Sequence, residues 1–189
     1  GSGKDTVMTE LFKKMPELLF SISSITRAMR AGEREGEKYN FITREKFEDM
    51  LKNDRLLEHN EFVGNYYGTP REPVERAVAN GQDMVIEVDV NGAAQIREKM
   101  PEAVSIFIMP PSFAELKRRL SGRGPESEEL IQKRLASALG EIKRAAEYDY
   151  IVVNEDITAA ADDIMSVILS SRLKTDRQTK IIDEVLSEC

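Results

Sequence analysis

The stretch MVIEVDVNGAAQIREKMPEAVSIFIM, residues 84–109, decides the fold class. An apolar run over Met84 to Val88 is followed by helical spacing from Ala93 to Lys99 and by a second apolar run over Val104 to Met109. This order predicts two parallel strands joined by a crossover helix. Further helices are predicted over 4–15, 70–79, 113–120 and 159–170, and further strands over 18–23 and 150–153. The sequence therefore predicts an α/β fold in which helices cover both faces of a parallel sheet.

The composition indicates one globular domain with an acidic surface. The chain has 189 residues, of which 41% are hydrophobic and 32% charged, and this balance supports a packed core. The formal net charge of -7 argues against a general binder of nucleic acid or of anionic membranes. A single cysteine, Cys189, and a single histidine, His59, argue against an internal disulfide, a His-rich metal centre and Ser-His-Asp catalysis. No apolar run approaches the ~20 residues of a membrane span, so we expect a cytoplasmic protein.

Two segments depart from the regular alternation. Between Thr26 and Thr69, short strand-like pieces at 39–42 and 56–63 flank a polar helix over 44–52, which is typical of an inserted lobe. The breaker at 122–125 precedes a long helix and predicts a hinged lid. The apolar stripe of that helix is formed by Ile131, Leu135, Ala138, Ile142 and Ala145. We therefore expect one domain over 1–170, with a core at 1–23 and 82–170, a lobe at about 24–81 and a lid at about 122–145, and a helical tail over 171–189.

The first six residues, GSGKDT, have the pattern of the back half of a phosphate-binding P-loop. In that motif, backbone N–H groups and a lysine, here Lys4, hold nucleotide phosphates at a helix N-terminus. Asp5 stands where the motif asks for Ser or Thr, and a flexible glycine start is the alternative interpretation. The α/β alternation that follows favours the P-loop. Because the strand before a P-loop is central to such a sheet, we expect this N-terminal strand to be missing and the chain as given to be poorly folded or inactive.

Arginines and tyrosines follow the second predicted strand. Arg27 and Arg30 come directly after a hydroxyl-rich strand end, and an arginine fork matches two phosphate oxygens at a time. A solvated loop is the alternative for this pair. Tyr66 and Tyr67 suit either a ligand site or the core. The residues alone leave both a phosphate site in the lobe and a solvated loop open.

A carboxylate and a group of cations complete the candidates. Asp89 ends a strand at the sheet edge where α/β proteins bind ligands, and a helix cap is its alternative role. Arg119 and Arg123 border the predicted hinge and Arg134 lies in the predicted lid. Together they suit a clamp that closes over a transferring phosphate. Solvation by water is the alternative for these arginines.

The order of these clusters resembles the guanylate kinase family, nucleoside monophosphate kinases that phosphorylate GMP from ATP. The resemblance covers the chain to about Ser170. It is carried by FSISSITRAMR (20–30), YNF (39–41), GNYYGTPR (64–71), EVDVNG (87–92), PPS (110–112) and LSGRG (120–124). It implies a P-loop NTPase fold of three α/β/α layers, with the lobe as the GMP site.

The resemblance also implies a role for individual residues. The GMP phosphate would be held by Arg27, Arg30, Tyr39 and Tyr67, and the guanine would be read by Ser23, Glu58, Thr69 and Asp89. ATP would be bound by Gly1, Ser2, Gly3, Lys4, Asp5, Thr6 and Asn154. Catalysis would depend on Lys4, Arg119, Arg123 and Arg134. Mg2+ is implied with ATP, and its protein ligand stays open because of Asp5.

Two other functions are open at this point. A guanylate-kinase-like interaction module would keep the fold and use the lobe to bind a protein partner. A related kinase would use a different phosphorylated acceptor. The presence of Lys4 with the arginines favours the enzyme, and the presence of Glu58 with Asp89 favours GMP, because guanine presents two N–H donors that carboxylates accept.

Overall fold

The computed structural model describes residues 2–122 and 128–187 of the chain. It divides into two compact units, one of Glu17–Ala103 and one of Gly1–Pro16 with Val104–Cys189. The helices in the described residues are α1 (Lys4–Lys14), α2 (Arg44–Lys52), α3 (Arg71–Ala79), α4 (Val90–Lys99), α5 (Phe113–Ser121), α6 (Glu128–Lys143), α7 (Ile157–Arg172) and α8 (Thr179–Ser187). The strands are β1 (Leu19–Phe20), β2 (Ser23–Ile25), β3 (Tyr39–Phe41), β4 (Leu56–Phe62), β5 (Asn65–Pro70), β6 (Met84–Val85), β7 (Ile106–Met109) and β8 (Tyr150–Val153).

The 17–103 unit is organised around a four-stranded mixed sheet in the order β3-β2-β5-β4. Strand β2 pairs parallel with β3 and antiparallel with β5, while β4 and β5 form an antiparallel hairpin. The hairpin turns at Val63 and Gly64, whose φ angles of 50° and 72° are those of a two-residue type I′ turn. Phe47 and Met50 of α2 form a buried cluster with Leu56 of β4. This cluster fixes the lobe helix on the sheet.

Helix α4 runs beside β4, the edge strand of this sheet, and makes hydrogen bonds that a further strand would otherwise make. The Gln95 side chain accepts a hydrogen bond from the His59 backbone N–H at 3.1 Å and donates one to the His59 carbonyl at 2.9 Å. Lys99 Nζ donates to the Leu56 carbonyl at 2.7 Å. These bonds satisfy backbone groups that an edge strand leaves unpaired. They also fix the position of α4 along β4.

The other unit contains the parallel pair β7 and β8, in which four residues of each strand are in register. Helix α1 packs on α7. Helices α5 and α6 pack together through Leu116, Leu120, Ile131 and Leu135. These residues are four apart on each helix, as an amphipathic stripe requires. The predicted stripe of the long helix is therefore confirmed where it contacts α5.

Most predicted helices and strands are confirmed to within three residues, and two strand predictions were wrong. The strand predicted over 18–23 is divided, because Leu19–Phe20 pair with β6 whereas β2 joins the mixed sheet. The strand predicted over 84–88 ends at Val85, where its pairing with β1 ends. The boundaries of the predicted core, lobe, lid and tail stay a prediction. Within the described residues, no helix has both the length and the apolar content to cross a membrane.

Candidate active site

Five residues predicted to bind GMP lie on the four-stranded sheet: Ser23 on β2, Tyr39 on β3, Glu58 on β4, and Tyr67 and Thr69 on β5. Ser23 is paired with Tyr39, and Glu58 with Thr69. Tyr67 is paired with Ile25, which lies two residues from Ser23 along β2. Cross-strand partners, and residues two apart along one strand, share a face of the sheet. The strand register therefore places all five side chains on the same face.

Glu58 is a buried acid, with only 6% of its surface exposed. The Thr69 hydroxyl, itself fully buried, donates a hydrogen bond of 2.7 Å to Glu58 Oε1. Burial raises the pKa of Glu58 above its ordinary value of 4.5, the negative charge of Asp89 raises it further, and the Thr69 hydrogen bond opposes both effects. The fold thus holds an acceptor carboxylate at a place where a complementary donor would stabilise its charge.

Asp89 is the N-cap of α4, so the helix-cap interpretation of this residue is confirmed. Its Oδ1 accepts hydrogen bonds from the backbone N–H groups of Asn91 (2.9 Å) and Gly92 (2.8 Å). Its Oδ2 accepts a hydrogen bond of 2.8 Å from the side-chain amide of Asn60 on β4. The cap and the amide together fix this carboxylate beside the strand that carries Glu58.

Arg27 forms the centre of the predicted phosphate site. Its guanidinium donates two hydrogen bonds of 2.6 Å to the Glu33 carboxylate, and the nearby Tyr67 hydroxyl also raises the pKa of Arg27. The guanidinium also lies 5.4 Å from the ring centroid of Tyr39 and 5.5 Å from that of Phe41. The ion pair holds the pKa of Glu33 at about 2 and raises that of Arg27. Arg27 therefore remains charged and oriented beside two predicted phosphate-binding tyrosines.

The N-terminus of α1 has the geometry of a phosphate-binding loop. Gly3 precedes the helix with a φ of 79°, and its carbonyl accepts the N–H groups of Thr6 and Val7. A Cβ atom on Gly3 would lie 2.5 Å from Asn154 Nδ2, so both the backbone and the space require glycine. Lys4 is the first helical residue. The first N–H groups of a helix have no intrahelical acceptor, and the helix dipole favours an anion at this end.

Arg119 and Asn154 hold the start of this loop. Asn154 Nδ2 donates to the Ser2 carbonyl at 2.7 Å, and Arg119 donates to the same carbonyl at 3.1 Å. Arg119 also donates to the Asn154 carbonyl at 2.9 Å and to the Glu115 carboxylate at 2.6 Å. Asn154 is 2% exposed, and its Oδ1 is buried without a hydrogen-bond partner in the described part of the chain. Arg119 also lines a cleft, together with Pro111, Ser112, Glu115 and Glu155.

Other predicted residues are less closely integrated. The Arg30 backbone N–H donates to the Glu33 carboxylate at 2.8 Å, and its side chain is exposed. Arg134 lies on α6, next to the buried Leu135. Gly1 and Arg123 lie outside the described residues. No group of three His, Cys, Asp or Glu side chains suited to a metal ion occurs in 2–122 and 128–187.

Comparison with known proteins decides the family. The guanylate kinase family model matches residues 1–171. The chain belongs to the guanylate kinase family. It is 46% identical over 190 residues to the guanylate kinase of Escherichia coli K12, covering 100% of this chain and 92% of that protein. It is 43% identical over 185 residues to the guanylate kinase of Desulfitobacterium hafniense Y51, covering 98% and 92%.

A solved guanylate kinase agrees with this assignment. The crystal structure of guanylate kinase from Anaplasma phagocytophilum has a TM-score of 0.75 and 40% sequence identity, covering 92% of this chain and 84% of that one. The predicted α/β P-loop NTPase fold and the predicted resemblance are thereby confirmed. As a guanylate kinase, the protein is a nucleotide-binding phosphoryl transferase.

Within this guanylate kinase, several residues that contact the predicted site were given no role in it from sequence. They are Glu33, Phe41, Asn60, Gly92 and Glu115. Glu115 precedes Arg119 by four residues on a predicted helix, and that spacing alone would have indicated the ion pair. Glu33 follows Arg27 by six residues through a loop, where no periodicity indicates a contact.

Proposed function

We propose that this guanylate kinase transfers the terminal phosphoryl group of ATP to GMP, forming ADP and GDP and returning GMP to the purine nucleotide pool. The observation that carries this proposal is the buried Glu58 carboxylate on the same sheet face as Tyr39 and Tyr67, with the Arg27 guanidinium 5.4 Å from the ring centroid of Tyr39. An acid for the base and a cation with hydroxyls for the phosphate are thus presented by one sheet.

Guanine is the purine that these acids suit. Its N1–H and 2-amino groups are donors, and Glu58 and Asp89 are acceptors, whereas adenine would present an unprotonated N1 to Glu58. Thr69 holds one oxygen of Glu58 through a 2.7 Å hydrogen bond, which orients the carboxylate. Sites built on buried hydrogen bonds discriminate by about four to five powers of ten when the partner group is missing. We therefore infer that AMP is rejected by the loss of these bonds.

The acceptor phosphate requires cations rather than a catalytic base. The second pKa of a phosphate monoester is near ~6, so the nucleophilic oxygen is largely deprotonated at neutral pH. Arg27 offsets the charge of this phosphate, with Tyr39 and Tyr67 as neutral hydroxyl donors and Arg30 as the second predicted cation. Lys4 and the N-terminus of α1 hold the donor phosphates. Arg119 fixes the loop before α1, to which these phosphates bind, through its hydrogen bond to the Ser2 carbonyl. Arg123 and Arg134 are proposed to stabilise the moving phosphoryl group from the lid.

Mg2+ fits this site as an ion carried mainly by ATP. Mg2+ keeps several waters and binds one or two carboxylates together with substrate phosphates. Asp5 is exposed in the first turn of α1, and its carboxylate is a suitable oxygen ligand, directly or through water. When bound with ATP, the ion would neutralise phosphate charge. We propose that Asp5 takes the place of the usual P-loop hydroxyl.

A coupled assay of ADP release tests the function. The complete chain is offered GMP, AMP, dTMP and UMP in turn with MgATP, and only GMP is expected to produce ADP above the ATPase background. Activity with UMP or dTMP at a rate similar to that with GMP would contradict the guanine assignment. Absence of turnover with all four, together with GMP binding by calorimetry, would instead favour the interaction module.

A further inference from the structure

Gly92 lies in α4 without a conformational reason to be glycine. It is the third helical residue, and its φ is outside the positive range in which glycine is favoured. Apart from proline, glycine is the least favourable residue inside a helix, and alanine is the most favourable. The only other helical glycine in the described residues, Gly140 of α6, has open space where a side chain would be. Gly92 has no such space.

The missing side chain of Gly92 leaves room for Glu58. A Cβ atom on Gly92 would lie 2.9 Å from Glu58 Oε2 and 3.3 Å from Glu58 Cδ. It would also lie 3.0 Å from Val88 Cβ. A separation of 2.9 Å between this Cβ and the Glu58 oxygen is shorter than van der Waals contact and therefore repulsive. The Glu58 carboxylate would have to move. At the same residue, the backbone N–H donates to Asp89 Oδ1 at 2.8 Å. Both acids of the proposed guanine site, Glu58 and Asp89, therefore lie against Gly92.

The charge of the two acids also explains why they meet at this place. The N-terminus of a helix carries a partial positive charge that stabilises nearby carboxylates. Asp89 caps α4, and Glu58 approaches the same turn from β4. A side chain at Gly92 would displace the Glu58 carboxylate from this turn.

We propose that Gly92 is a specificity-determining residue of the GMP site, because its bare Cα sets the position of the Glu58 carboxylate. Gly92 is a positioning residue in this proposal: it acts on GMP only through Glu58. The proposal rests on the proposed function, in which Glu58 accepts the N–H donors of guanine. Its consequence is that any side chain at Gly92 weakens GMP recognition while the ATP side is unaffected.

The experiment compares Gly92→Ala with the unmodified chain, with Glu58→Ala and with the double variant Gly92→Ala/Glu58→Ala. In the presence of Glu58, Gly92→Ala is expected to raise the KM for GMP at least about tenfold, the loss expected for one weakened charge-assisted hydrogen bond. The KM for ATP is expected to stay within twofold. In the Glu58→Ala background, the same change is expected to alter the KM for GMP by less than twofold, because the group through which Gly92 acts is gone.

Gly140→Ala is the matched control for the chemical change. Its Cβ meets nothing within 4 Å, so it is expected to leave the KM for GMP unchanged and to raise the melting temperature slightly. Equal effects of Gly92→Ala with and without Glu58 would overturn the proposal, since they would assign the effect to Val88 or to the helix.

Folding and function failures are distinguishable. If Gly92→Ala unfolds, the Glu58→Ala/Gly92→Ala chain must regain a cooperative melting transition, and its failure to do so would also overturn the proposal. If the complete chain used in the ADP-release assay does not phosphorylate GMP, the proposed function fails, whereas GMP turnover by that chain together with an unaffected Gly92→Ala variant refutes only the inference about Gly92.

Discussion

Glu58→Gln is expected to change substrate recognition and fold stability in opposite directions. Glu58 is 6% exposed, and its Oε1 accepts a hydrogen bond of 2.7 Å from the Thr69 hydroxyl. Glutamine has the same shape but only one acceptor oxygen. If that oxygen keeps the Thr69 bond, an NH2 group faces the N–H donors of guanine. If the amide turns over, its NH2 donates to Thr69, and guanine keeps one acceptor without negative charge.

The magnitude follows from these two arrangements. In either case at least one of the proposed charge-assisted hydrogen bonds to guanine is lost, and such bonds contribute about 1.5–3 kcal/mol each. At about 1.4 kcal/mol per factor of ten, kcat/KM for GMP should fall by roughly 10- to 150-fold. The KM for ATP should be unaffected, because the proposed function assigns Glu58 to the acceptor base alone.

The stability effect has the opposite sign. Burial raises the pKa of Glu58 above its ordinary 4.5, so the folded chain keeps this proton at pH values where the unfolded chain has lost it. The free energy of unfolding therefore falls as the pH rises from 4.5 through the raised pKa of Glu58. Glutamine carries no charge and removes this loss, so the melting temperature of Glu58→Gln should exceed that of the unmodified chain at pH 8 and approach it at pH 4.

The assay varies GMP and ATP separately in steady-state kinetics and records thermal unfolding at both pH values. Glu61→Gln, an exposed change on the same strand, is the control and should alter neither quantity. A loss of less than threefold on GMP, or a loss mainly on the ATP side, would refute the assignment of Glu58 to guanine.

Three further predictions follow from single contacts. Glu33→Gln removes the charged partner of Arg27 and is expected to raise the KM for GMP several-fold, with an unchanged KM for ATP; an unchanged KM for GMP would mean that the pair does not orient Arg27 for the phosphate. Val63→Asn is expected to raise the free energy of unfolding in denaturant by about 1 kcal/mol. A β-branched residue at a φ of 50° is strained, whereas Asn before Gly64 suits a type I′ turn. An unchanged free energy of unfolding would show that the turn is not strained. Arg134→Ala should lower kcat more than it raises either KM, as expected for a contact made mainly in the transition state. A normal kcat would exclude Arg134 from the residues proposed to act in catalysis.

The local patterns of the sequence predicted the elements better than their pairing. Helical spacing over 44–52 and 131–145 identified α2 and most of α6, because a buried stripe leaves a period in the sequence. The run over 18–23 could not show that β1 and β2 join different sheets, since an apolar run does not specify its neighbours. Strand β5 contains two residues that usually disfavour a strand, Gly68 and Pro70, and was not predicted.

Gly68 shows why such a strand forms in spite of its composition. A Cβ atom there would lie 2.8 Å from the Glu58 carbonyl and 3.0 Å from the ring of Phe47. The glycine lets β5 lie between β2 and β4 while Phe47 packs closely against β5. Tertiary contacts, rather than strand propensity, therefore require glycine at this position. The neighbouring residues of β5, Tyr67 and Thr69, then belong to the same face as Glu58.

The candidate site was predictable residue by residue, whereas the contacts that orient those residues were not. Glu58 and Asp89 lie 31 positions apart on a strand and at a helix N-cap, and no spacing rule relates them. Their approach depends on α4 lying along an edge strand, which the two hydrogen bonds between Gln95 and the His59 backbone maintain.

The same arrangement explains how the fold accommodates the carboxylates of Glu58 and Asp89 close to each other. Asp89 raises the pKa of Glu58, and burial raises it more, so the site alone disfavours the charged form that guanine requires. The Thr69 hydroxyl opposes this shift, and the first turn of α4 adds a partial positive charge. Guanine would supply the remaining donors. In the proposed reaction, the free energy that the fold loses by burying Glu58 is therefore recovered only when the correct base binds, and a base without those donors leaves the acid uncompensated.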